Sequence, residues 1–149
     1  MYINNEINGQ ERSEMSEDSG QVPITAPTQQ GVSYEFCAGI VDKKMSLQEI
    51  AKDEVLEETG YEISVDQLQH VTTCRGVGIA GNKVTIFYTE VTDSMKVGQG
   101  GGDRSECEEI ELEYLPLADA KDFVFDTTKS KPSSLVAAFM WYFWKNKIA

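Results

Sequence analysis

With 149 residues carrying 25 Asp and Glu against 13 Lys and Arg, a formal charge of -12, the chain is long enough for one domain with a real core and too short for two. That acidity argues against a nucleic-acid backbone or an anionic membrane surface as partner. A phosphate-bearing substrate would need cations to bridge it.

Residues 1–33 hold few large apolar side chains among many Asn, Gln, Glu, Ser, Gly and Pro, which predicts a flexible leader. The folded domain is expected over 34–149. Val32 to Val41 reads as its first strand, with Ala38 and Gly39 as small residues where backbone can approach a ligand; a glycine needed only for tight packing explains Gly39 equally well.

Ser46 followed by Glu49 is a capping box, so a helix is expected to begin at Leu47. Leu47, Ile50, Ala51 and Val55 recur at helical spacing, and Gly60 supplies the left-handed residue that ends many helices. Within that helix Glu54, Glu57 and Glu58 lie three and four residues apart, so their carboxylates can converge, with Asp53 adding charge nearby. Like charges at these spacings repel, and Glu57 and Glu58 sit at the negative end of the helix dipole. A local rule broken this thoroughly points to function, here oxygen ligands for a hard divalent cation. A solvated acidic face is the plainer alternative.

The stretch from Phe36 to Ile63 resembles the Nudix box, G-x5-E-x7-R-E-U-x-E-E-x-G-U, without a gap. Gly39 matches the opening glycine, Glu54 the Glu of the Arg-Glu pair, Val55 the apolar position, Glu57 and Glu58 the Glu pair, and Gly60 and Tyr61 the close. Met45 stands where the family has Glu, and Asp53 where it has Arg. The wording CAGIVD, EVLEETGY and GVGIAGNKVTIFYTEVTD is most similar to the UDP-sugar diphosphatase branch, relatives of the ADP-ribose diphosphatases, over roughly residues 34 to 145. In that family a strand hairpin of the central sheet precedes the box. Nothing before Val32 alternates as such a hairpin would, so an N-terminally truncated domain with an unpaired sheet edge is expected.

Beyond the box, Leu68 to Thr73 and Lys83 to Val91 read as strands around a turn-rich loop containing Arg75, Gly76, Gly78 and Gly81. Arg75 and Lys83 could meet phosphate oxygens, although ordinary surface charge suffices to explain them. His70, the only histidine, reads as structural, and Cys74 as an inert thiol. Three cysteines, Cys37, Cys74 and Cys107, with no Cys-x-x-Cys pair indicate neither a disulfide framework nor a zinc site.

Gly98 to Gly102 reads as a mobile loop, and Ile110, Leu112 and Tyr114 alternate with acids as a half-buried strand would. Leu117 to Phe123 reads as a short helix. The segment after Ser133 or Ser134 is expected to form an apolar terminal helix, with Trp141, Phe143 and Trp144 in the core. Its longest apolar run, 135–144, is too short to cross a bilayer, and with no signal segment a soluble, cytoplasmic protein is expected.

The resemblance implies an α/β fold, a mixed sheet sandwiched by helices, and Mg2+-dependent hydrolysis of a nucleoside diphosphate sugar, with Mn2+ as a substitute. It implies Glu54, Glu57, Glu58 and the Ala38 carbonyl as metal ligands, Glu54 as catalytic, and Glu108 rather than Glu106 as the base that activates water. A homodimer is implied as well. The rival reading is an inactive Nudix-derived protein that binds a nucleotide or a protein.

Overall fold

A computed structural model describes residues 32–77, 81–103, 108 and 110–148, together with the backbone of 2–6. The capping box forms: the Glu49 amide donates to the Ser46 hydroxyl at 3.2 Å, and the Ser46 amide donates to the Glu49 carboxylate at 2.8 Å. Two orphan amides are thereby satisfied, and α1 runs from Leu47 to Glu54 with Ile50 and Ala51 buried. The backbone then widens into a π-helical turn, Val55–Thr59, where the Thr59 hydroxyl donates back to the Val55 carbonyl. Such turns are rare and recur at functional sites. Gly60 ends the helix at φ +74°, and a Cβ there would stand 2.2 Å from the Gly98 carbonyl oxygen.

Four strands make one mixed sheet in the order β2-β1-β4-β3: β1 Tyr2–Glu6, β2 Ala38–Ile40, β3 Gln69–Arg75 and β4 Lys83–Tyr88. β1 runs parallel to β2, with Ile3 opposite Ala38, and antiparallel to β4, with Ile3 opposite Ile86. β3 and β4 form an antiparallel pair whose register slips between His70 and Thr72.

The leader reading of residues 1–33 is corrected for Tyr2–Glu6, which occupies the middle of the sheet. Its sequence, YINNE, has no two-residue hydrophobic alternation; the backbone ladders of β2 and β4, not its own pattern, select the strand. Residues 7–31 lie outside the described residues. The strand expected over Val32 to Val41 shrinks to Ala38–Ile40, because the stretch before it is held by a turnless contact instead: the Tyr34 amide donates to the Ser130 carbonyl at 2.8 Å.

Ile86 and Phe87, adjacent in β4, point to opposite faces of the sheet and nucleate a core on each. Phe87 packs with Ala51, Val55, Ile63 and Leu68 beneath α1. Ile86 packs on Ala138 of the terminal helix α3, Ser133–Asn146. A third cluster, Ala120, Val124 and Phe143, ties α2, Ala120–Phe125, to α3. The chain is thus a mixed sheet with helices on both faces.

Three further expectations change. The alternation holds from Ile110 to Glu113, with Ile110 and Leu112 half-buried and Glu111 and Glu113 exposed, but Tyr114 is 71% exposed and the segment is not a strand. Pro132, not Ser133 or Ser134, occupies the N-cap of α3. Trp144 is 79% exposed rather than core, whereas Phe143 is buried and Trp141 packs against Tyr88, tilted by 60° with ring centroids 5.4 Å apart. Among the described residues, no helix is long and apolar enough to cross a membrane.

Gly60 combines a left-handed backbone with a carbonyl where a side chain would have to go. Gly60→Ala is expected to cost about 2 kcal/mol or more, measured as a lower urea midpoint at unchanged m-value.

Candidate functional site

β2 lays its backbone against the end of the helix, and two glutamates meet it there. The Ala38 amide donates to Glu58 Oε2 at 3.1 Å, and the carboxylate is buried, with Glu58 only 7% exposed. The Cys37 thiol donates to the same carboxylate, and burial pushes that thiol well above its usual range. Glu54 reaches the adjacent residue: a Cβ on Gly39 would stand 2.1 Å from Glu54 Oε1. Gly39 therefore answers to a close approach, since only a residue without a side chain leaves room for that carboxylate.

Burial raises the Glu58 pKa first of all, and the nearby charges of Glu54 and Glu108 raise it further against the hydrogen bonds from Cys37 and Ala38; the outcome is a value of about 7. Glu108 lies further along the chain than the glycine-rich loop. Its amide donates to the Asp103 carbonyl at 3.2 Å, and the Asp103 amide donates to its carboxylate at 3.3 Å. Glu54 and Glu108 thus both act on Glu58, while Glu57, one position earlier in the π turn, is exposed. Glu106 lies outside the described residues.

The remaining candidates are elsewhere. His70 is exposed, bonded to Thr73 Oγ1 at 3.1 Å and edge-on to the Phe87 ring. Cys74 is exposed, and Arg75 lies opposite Lys83 where β3 ends and β4 begins. Sequence reasoning missed Cys37 as the partner of Glu58. No spacing rule links them, because the contact is made by the fold.

Two mammalian proteins are among those that match the chain. The protein from Bos taurus named uridine diphosphate glucose pyrophosphatase NUDT14 is 40% identical over 119 residues, covering 78% of this chain and 54% of its own length. The protein of the same name from Mus musculus is 41% identical over 119 residues with the same coverage. The chain is a homologue of these Nudix proteins. It spans about half the length of the curated relatives it matches. No family model matches the chain.

The two departures from the Nudix box lie at the surface. Met45 is 41% exposed ahead of the capping box, and Asp53 is exposed beside Lys52, with Nζ and Oδ1 4.0 Å apart. An exposed pair of that kind contributes little.

Among the described residues, no three acidic, His or Cys side chains form a ready-made cage for a metal ion. The donor chemistry nevertheless suits a hard divalent cation, because Glu58 and the two carboxylates that repel it, Glu54 and Glu108, offer only oxygen. Mg2+ ordinarily takes one or two carboxylates and keeps several waters, so it needs no complete cage.

Because Glu58 titrates near 7 when folded against 4.5 ordinarily, its protonated form stabilises the fold fully below about 4.5, and that contribution is lost as pH rises through 7. In metal-free protein, the stability of Glu58→Gln relative to the parent should therefore rise by about 3 kcal/mol between pH 4.5 and 8, at 1.4 kcal/mol per pKa unit. Urea denaturation of both proteins across that range checks it.

Proposed function

We propose that the chain hydrolyses the diphosphate bond of a nucleoside diphosphate sugar of the UDP-glucose or ADP-ribose type, with Mg2+ as cofactor and Mn2+ able to replace it. The observation that carries this reading is the buried Glu58 carboxylate held against β2, with Glu54 packed on Gly39 and Glu108 within its field. The names of the two relatives support the substrate class.

In this reading Glu54, Glu57, Glu58 and the Ala38 carbonyl hold the cation, and Glu54 and Glu108 act in catalysis. A bound divalent cation would neutralise charge on the diphosphate and lower the pKa of a ligated water. The chain's own residues do the rest. Glu58 is positioned by the Ala38 amide and the Cys37 thiol, and Glu54 is seated by the absence of a side chain at Gly39. Glu108, oriented by the Asp103 amide, accepts the proton of the attacking water as general base.

The same reading places the protein in the cytoplasm as a homodimer. Exposed Met140 and Trp144 on α3 support self-association. A second reading, a nucleotide- or protein-binding module without turnover, is favoured by Asp53, which stands where the box has Arg and sits at the surface beside Lys52.

Purified protein supplied with UDP-glucose or ADP-ribose should hydrolyse one or both with Mg2+ and neither with EDTA. The Glu57→Gln, Glu58→Gln variant should lose roughly 100-fold or more of that rate. Undiminished hydrolysis in the variant would reject the site; a folded parent that binds these nucleotides without turning them over would establish the second reading.

A further inference from the structure

The last turn of a helix leaves carbonyl oxygens without intrahelical donors, and here that electronegative end also carries Glu57 and Glu58. One ammonium answers it. Lys96 Nζ donates to the Thr59 carbonyl at 3.1 Å and to the Tyr114 hydroxyl at 3.2 Å, and it lies 4.8 Å from the centroid of the Tyr61 ring and 5.9 Å from that of Tyr114. Both tyrosine rings thus face the same ammonium.

From Lys96 the backbone crosses the helix end as a ladder. The Val97 and Gly98 amides both donate to the Gly60 carbonyl, at 2.9 and 3.1 Å. The Gly101 amide donates to the Glu58 carbonyl at 2.8 Å, and the Gly102 amide to the Glu57 carbonyl at 3.4 Å. The next amide, that of Asp103, holds the Glu108 carboxylate. Lys96 therefore touches both the start of the segment that carries Glu108 and, through Tyr114, the chain that leaves it.

We propose that Lys96 is a positioning residue for this site: it clamps the 97–103 loop across the C-terminal end of the box helix, so that Glu108 is presented to Glu54 and Glu58. The proposal rests on the hydrolase reading for its kinetic consequence and on the loop geometry alone for its structural one. Lys96 touches neither Glu58 nor Glu108 directly; it acts on the loop between them. Losing it should cost the step that Glu108 serves rather than the binding of substrate.

The test compares the parent with Lys96→Met, which keeps the length of the side chain and removes its charge and donors, and with Lys96→Arg, which restores both. Lys96→Met should speed hydrogen exchange of the Gly101, Gly102 and Asp103 amides about tenfold, leave the Ile86 and Phe87 amides protected, and lower kcat about tenfold with KM within about twofold. Lys96→Arg should recover most of both effects. Unchanged protection at those three amides, or a loss confined to KM, would overturn the proposal. If the parent shows no turnover, the hydrolase reading fails, and the exchange measurement still decides the clamp. Should Lys96→Met fail to fold, Tyr114→Phe removes one of the two acceptors and should move the same three amides in the same direction; no movement there would likewise overturn it.

Discussion

A carboxylate buried at the negative end of its own helix is the constraint on which this structure turns. Burial, the helix dipole and the charges of Glu54 and Glu108 all disfavour ionised Glu58, and only the Ala38 amide and the Cys37 thiol favour it. Such an arrangement weakens a fold that has no cation to relieve it. Among the described residues the other acids are mostly exposed, and a cation bound as proposed would relieve the repulsion on this one.

The neighbouring features follow from accommodating that group. The π turn changes the rotation per residue, so Glu58 turns inward while Glu57 stays exposed. Gly39 admits the Glu54 carboxylate, and Gly60 lets the chain reverse tightly enough for the 97–103 loop to cross the helix end. The sheet supplies the rigidity. Phe87 fixes α1 on one face and Ile86 fixes α3 on the other, so β2 and the box helix meet in a set register.

What could be read from the chain was local. The capping box at Ser46, the stop at Gly60 and the β3–β4 pair each depend on residues near one another along the chain, where backbone geometry dictates the outcome. What could not be read depends on distant partners. Tyr2–Glu6 becomes a strand because two other strands offer their edges, and nothing in YINNE announces it. Alternation over Ile110–Glu113 reported which side chains face water, but it failed at exposed Tyr114 and carried no information about a ladder partner. Cys37 and Lys96 reach groups that lie far along the chain, in the case of Lys96 37 positions away at Thr59, and Trp144 shows that an apolar helix does not bury every aromatic it carries.

The hydrolase reading requires the carboxylates around Glu58 to take up a divalent cation. Titrating the metal-free protein with Mn2+ and following the free ion by electron paramagnetic resonance tests it without requiring turnover. Saturable binding that Mg2+ displaces, lost or weakened at least about tenfold in Glu58→Gln, is the result expected here. Equal Mn2+ binding by the parent and Glu58→Gln, or none by a folded parent, would contradict it.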